Sequence, residues 1–427
     1  MSSADAAVTP DPSDLGALVR DGAGDWSWEE EQPVGPSPRT RHTLGLTSQT
    51  WHGLPWTHRL YCILPEGARA SNRCFLYVAG SGDHVGELAL LEALAHQLRA
   101  PVAVLADVPN QPLFGDLRED ALIAHTFDRF LEGGDPSWPL LLPMTRAVIR
   151  AMDALQAFLA AHASMRVEGF VVAGASKRGW TTYLAGAADP RVRAIAPMVY
   201  DNLDMRAQLR RQRDVFDGGY SPEIADYTDR GLVERLEAPG GEHLLAMVDP
   251  FAHRGRLTMP KWLILGTNDP YWPVDALALY HDALPAPTFV TYIPNAGHGL
   301  GQPERMAGAL SALWHLALGG DTGAGALVPL RWELRREAER VRVRVDGPRG
   351  VSPPRLWVTS QPTLDFREAR WSPGPALAGG PPWTVEWEAQ PGVYRAAFLE
   401  VEVEGCWGRA ALDTPIWTVD PAPSRVE

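Results

Sequence analysis

Three residue types that together perform acyl transfer stand in this chain in a telling order. Ser176 lies in Gly174-Ala175-Ser176-Lys177-Arg178-Gly179, Asp269 in Gly266-Thr267-Asn268-Asp269, and His298 in Asn295-Ala296-Gly297-His298-Gly299. A serine hydroxyl is a weak nucleophile. It needs a histidine to take its proton and an acid to orient that histidine and stabilise its cation. The order Ser, Asp, His suits a sheet whose strands each deliver one member at their carboxyl ends.

The flanking residues supply such strands. Phe170 to Ala173 is an apolar run that stops at Gly174, and Trp180 to Ala188 then reads as a helix. Strand, sharp turn with serine at its apex, and helix make a nucleophile elbow. The usual pattern is G-x-S-x-G; here the second glycine comes one place late, because Arg178 occupies its position. Trp262 to Gly266 and Thr288 to Ile293 are further strand-like runs, directly before Asp269 and His298. Each candidate also has a plain structural reading. Ser176 suits a helix N-cap, His298 is one of twelve histidines, and Asp269 suits an Asn-Asp-Pro turn. Asp275 and Asp201 are rival acids, Asp201 because it ends the strand after the elbow; Asp269 is preferred.

An oxyanion requires two backbone N–H donors. Lys177, just after the serine, and Ser81, in the Gly80-Ser81-Gly82 turn after the strand Cys74 to Ala79, are the expected pair. Gly80, Gly82, Arg178, Asp201 and Trp138 are candidates for lining a substrate pocket. Arg178 reads first as a structural ion-pair partner. The Lys177 side chain suits either pocket charge or a surface ion pair.

Strands alternating with helices across residues 60–315 predict an α/β-hydrolase fold, a mostly parallel sheet with helices on both faces. The catalytic unit is expected over residues 41–318, with insertions at about 109–142 and 201–258 that shape the pocket. Residues 1–40, rich in Ser, Asp, Gly and Pro, are expected to be irregular. The glycine-rich stretch 319–325 reads as a linker. Beyond it the apolar period changes to two, as in Val341-Arg342-Val343-Arg344-Val345, predicting a small β-sandwich over 326–427.

Composition narrows the function. The 427 residues carry a formal net charge of −13 with no offsetting basic run, which argues against a nucleic-acid partner. The only lysines are Lys177 and Lys261. Cys62, Cys74 and Cys406 are too scattered for a disulfide framework or a zinc motif. There is no H-E-x-x-H and no phosphate-binding glycine loop, so neither a metal nor another cofactor is expected. No stretch approaches the roughly 20 apolar residues of a membrane span. Met1 to Pro12 lacks the apolar core of a signal peptide, so the chain as written reads as soluble and cytoplasmic, or as an exported protein whose leader has been removed.

Further segments carry a resemblance. Gly174 to Thr182, Pro109-Asn110-Gln111, Arg118 to Ala124, Leu142 to Ala147, Arg150 to Asp153, Asp249-Pro250, Pro294-Asn295 and Gly297-His298 resemble the signature of the PhoP/PhoQ-activated pathogenicity-related protein family. The resemblance spans about residues 45–315. It implies a hydrolase core and supports Ser176, Asp269 and His298 as its triad. It departs at Arg146, where the family often has lysine, and at Asn202-Leu203, where the reverse order is common. The expected activity is a serine hydrolase cleaving a small or polar carboxylic ester, or an amide, through an acyl-enzyme. A peptidase on the same triad is the alternative, as is a non-catalytic binding protein on this scaffold. The substrate and the oligomeric state are not fixed by the sequence.

Overall fold

The computed structural model describes residues 14–20, 25–32, 40–68, 72–285, 287–319, 327–337 and 340–422. The expected linker lies, beyond Gly319, outside these residues, as does Met1 to Pro12. A nine-stranded sheet forms the centre. Its strands are β1 (Ser27–Glu31), β2 (Arg41–Trp51), β3 (Leu54–Ile63), β4 (Arg73–Val78), β5 (Val102–Leu105), β6 (Gly169–Ala175), β7 (Val192–Met198), β8 (Lys261–Gly266) and β9 (Thr288–Ile293). Their order across the sheet is β1-β2-β3-β5-β4-β6-β7-β8-β9. From β5 to β9 every neighbour pair is parallel, and β1 to β3 join antiparallel.

Parallel strands buried on both faces need apolar residues at every position. In β6 successive residues go to opposite sides: Phe170 and Val172 enter one apolar cluster, Val171 and Ala173 the other. The helices that cover these faces are α1 (Leu15–Arg20), α2 (Val85–Leu98), α3 (Glu119–Gly133), α4 (Leu141–Ala163) and α5 (Lys177–Ala188), with α6 (Met205–Val215), α7 (Ala225–Thr228), α8 (Leu232–Glu237), α9 (Gly241–Val248) and α10 (Pro303–Ala317). Buried residues of α4 and α5 lie in the first cluster, those of α2 and α10 in the second.

Within the expected irregular segment 1–40, the described residues 14–20 and 25–32 hold a helix and a strand. Leu15, Leu18 and Val19 of α1 are buried, and Arg146 of α4 donates through Nε to the Val19 carbonyl at 2.5 Å and through Nη1 to Gln49 at 2.7 Å. β1 pairs along its whole length with β2. Neither element has a strong local signal: α1 is under two turns, and Glu is depleted in strands.

The C-terminal strands are β10 (Arg331–Glu337), β11 (Arg340–Asp346), β12 (Arg355–Gln361), β13 (Ser372–Ala376), β14 (Trp383–Glu388), β15 (Tyr394–Gly405), β16 (Gly408–Asp413) and β17 (Trp417–Val419). They build two antiparallel sheets, β10-β11-β14 and β13-β12-β15-β16, with β17 paired to β15. Their apolar residues, among them Val343, Val385, Leu399 and Leu412, share one cluster with α2, α10 and the central sheet. Polar ties cross the same boundary. The Thr291 hydroxyl donates to the Ala411 carbonyl at 2.6 Å, and Arg305 pairs with Glu400 at 2.5 Å.

Helix α10 and strand β16 meet without a side chain between them. A Cβ on Gly308 would come within 2.1 Å of the Arg409 carbonyl oxygen. Gly308→Ala is therefore expected to destabilise the chain by about 1–3 kcal/mol, the usual cost of forcing extra atoms into a packed interior. Urea unfolding measures it, and an unchanged midpoint would mean that the two units separate at little cost.

Candidate active site

Ser176 sits between β6 and α5 with φ 58° and ψ −126°, a backbone conformation unfavourable for a residue with a Cβ. The strain is held by the sheet: Ser176 N–H donates to the Met198 carbonyl of β7 at 2.8 Å, and Trp180 N–H donates back to the Ser176 carbonyl at 3.0 Å. The late glycine of the motif now has a physical reason. A Cβ on Gly179 would meet the Met198 carbonyl oxygen at 2.8 Å, so glycine is needed where α5 crosses β7.

His298 lies 2.8 Å through Nε2 from Ser176 Oγ and 2.8 Å through Nδ1 from Asp269 Oδ2. A carboxylate can only accept, so Nδ1 carries the hydrogen toward Asp269. Nε2 is then bare and accepts the serine O–H. The second oxygen of Asp269 accepts Tyr271 N–H at 3.0 Å, and the Tyr271 ring packs on the imidazole at 4.4 Å between centroids. Asp269 is 8% exposed, so its contact with His298 is largely shielded from water on the carboxylate side.

Among the described residues neither rival acid is hydrogen-bonded to His298, which pairs with Asp269. Asp275 takes two hydrogen bonds from Arg211, at 2.7 and 3.1 Å, and one from Thr418. Asp201 is buried at the end of β7 and borders a small void with Asp269, but among the described residues no hydrogen bond joins it to His298. Burial pushes its carboxyl up to about 7, and the charges of Asp269 and Asp275 add to the rise.

Arg178 points away from the serine. Its Nε donates to the Val108 carbonyl at 2.5 Å, and its two terminal nitrogens meet Glu119 at 2.6 and 2.7 Å. Its guanidinium lies against Gly80. Burial opposes the Glu119 carboxylate, yet the Arg178 and Gln111 hydrogen bonds outweigh it and hold the pKa below the usual range. Arg178 thus ties the start of α5 to the 79–82 turn and to α3. That turn follows β4, whose Val78 pairs with Gly174, and its Gly80 lies against Arg178 of the elbow helix. Lys177 opens α5, and a helix leaves its first N–H groups without an intrahelical acceptor.

A cavity of about 60 Å³ opens beside Ser176. Phe127, Trp180, Tyr200, Met205, Leu209 and Trp272 give it apolar walls, and α6 to α8 close it. Its polar end is one cluster. Asp120 accepts from Tyr227 at 2.8 Å and pairs with Lys177 at 2.6 Å, while Lys177 Nζ lies 5.4 Å from the Tyr271 ring centre. Lys177 is therefore both ion-paired and inside the pocket. Trp138 is not: it stacks on His52 at 4.1 Å and packs with Trp51, Phe114 and His125, apart from this lining. Its place among aromatic residues from β2 and α3 explains the difference.

Sequence reasoning missed Asn268 and Asn295. Asn268 Nδ2 donates to the Arg367 carbonyl at 3.0 Å and the Ala369 carbonyl at 2.6 Å. Asn295 accepts Trp371 N–H at 2.7 Å and donates to its carbonyl at 3.0 Å. The loops bearing Asp269 and His298 are thus held by a C-terminal segment. Only the adjacency of both asparagines to the proposed triad could have signalled it.

The raised Asp201 pKa has a stability consequence. The folded chain keeps a proton that the unfolded chain releases near the ordinary carboxylate value. The group is neutral for stability below about pH 4 and increasingly unfavourable up to about 7, then constant. Wild-type stability is expected to fall relative to Asp201→Asn across that window in urea unfolding. Parallel pH curves for the two proteins would contradict it.

Comparison with known proteins fits this architecture. Among solved structures, acetyl xylan esterase 1 of Thermoanaerobacterium sp. JW/SL YS485 superposes with a TM-score of 0.52 at 17% identity, over 73% of this chain and 94% of that one. The central unit therefore has the α/β-hydrolase fold. Autocrine proliferation repressor protein A of Dictyostelium discoideum is 36% identical over 293 residues, 64% of this chain. The match spans 59% of that relative's length. The model of the PhoPQ-activated pathogenicity-related proteins matches residues 18–367, and the chain belongs to that family.

Proposed function

We propose that the protein is a serine hydrolase that cleaves a short-chain carboxylic ester through an acyl-enzyme. The observation that carries this reading is His298, 2.8 Å from both Ser176 Oγ and Asp269 Oδ2. In the proposed reaction Ser176 Oγ attacks the ester carbonyl carbon as its proton passes to His298 Nε2. The Lys177 and Ser81 N–H groups receive the oxyanion. The tetrahedral intermediate collapses as His298 returns the proton to the departing alcohol. Water, deprotonated by the same nitrogen, then releases the acid and restores the serine.

The cavity supports this reading. Its apolar walls of Phe127, Trp180, Tyr200, Met205, Leu209 and Trp272, closed over by α6 to α8, suit a compact apolar acyl group beside Ser176. The similar solved structure is named as an esterase of acetyl groups on xylan, which agrees with a small acyl chain without identifying the alcohol. The relative from Dictyostelium is named as a proliferation repressor, which favours keeping a non-catalytic reading in the test.

Ser176→Ala is expected to abolish both short-chain ester turnover and labelling by a fluorophosphonate probe, with the fold unchanged by circular dichroism. Wild-type protein that does not label would make it a binding protein. Asp269→Asn should lower kcat by about 10⁴, the scale of tautomer loss in a worked triad. Asp201→Asn should cost far less, and the reverse ranking would move the acid to the end of β7.

A further inference from the structure

At the sheet edge opposite the active site, Glu30 of β1, His42 of β2 and His162 in the last turn of α4 bring three ligand atoms within 4.8 Å of one another. From this we infer that the chain holds a divalent first-row cation, Zn²⁺ by ligand type, at a site remote from Ser176.

The ligand set is two imidazoles and one carboxylate. That combination suits Zn²⁺ with a fourth position left to water. Ligands at the ordinary zinc bond lengths of about 2.0–2.2 Å in a tetrahedron stand about 3.3 Å apart. His42 Nδ1 and Glu30 Oε1 are already 3.0 Å apart. The two imidazoles converge, with centroids 4.3 Å apart and planes at 67°, and do not stack on each other. Phe158, one turn before His162, packs against both rings, at 5.2 Å from His42 and 5.0 Å from His162. It restricts their rotation and lowers the dielectric on one side.

The electrostatics favour a cation here as well. The α4 carbonyl end carries partial negative charge beside His162. Glu30 stands within the run Glu29-Glu30-Glu31 on an edge strand. One metal ion would join three separate chain segments, and so fasten β1, an edge strand, to the sheet and to α4.

The test uses the full chain, stripped with a chelator and titrated with Zn²⁺ alone by calorimetry, with Co²⁺ as a visible-absorption probe. One equivalent should bind, raise Tm, and give the absorption of a four-coordinate cobalt centre. Glu30 and His162 are exposed, so Glu30→Gln and His162→Gln should fold normally. Each should weaken that equivalent by at least the roughly 10- to 100-fold that loss of an outer partner alone costs. Absence of a one-equivalent site in the wild type overturns the inference. So does unchanged affinity in both variants, which would place the ion on other histidines.

Discussion

The geometry of the candidate site rests on how the loops after β8 and β9 are held together. Asn268 N–H donates to the Ala296 carbonyl at 2.9 Å, and Asn295 N–H to the Thr267 hydroxyl at 2.8 Å. A Cβ on Gly266 would come within 2.5 Å of the Ala296 carbonyl oxygen. The two loops therefore touch through their backbones. The distance from Asp269 to His298 is set by a main-chain bond and one short threonine side chain, not by long side chains, which would lose more rotamer freedom on being ordered. The Asn268 amide nitrogen and the Asn295 side chain are then used by residues 366–371, while Asn268 Oδ1 accepts the Thr267 hydroxyl.

Ser176 is held by a different means. It follows β6, with β7 between it and the strands that lead to Asp269 and His298. Its strained backbone is anchored to β7, and Arg178 draws α3 and the 79–82 turn against the start of α5. One family-signature residue, Arg178, thus positions the turn that carries Ser81, and its neighbour Lys177 fills the polar end of the cavity. The motif encodes the surroundings of the serine as much as the serine itself.

Much of this was legible in the sequence. Strands β4, β6, β8 and β9 could be read because a strand covered on both faces must be apolar throughout. The places of Ser176, Asp269 and His298 followed from the ends of those runs. The sequence favours Asp269 over Asp201 although both follow a strand; that His298 bonds to Asp269 depends on β9 lying next to β8. Trp138 was drawn to the pocket by its position in an insertion, whereas its packing depends on β2, far away in sequence. The α1 helix and β1 were hidden because their stability comes from partners: Arg146 for the one, the edge of β2 for the other.

The brace on the loops of Asp269 and His298 also gives the candidate site a schedule during synthesis. Phe366 follows His298 by 68 residues. At roughly 5–20 residues per second, the ribosome needs about 3–14 seconds to deliver the brace once the histidine has been made. Through that interval the nascent chain carries the serine, the acid and the histidine, but the loops of the last two lack their outer supports. Assembly of the candidate site is thereby tied to the arrival of residues 366–371, which fasten the loops of Asp269 and His298.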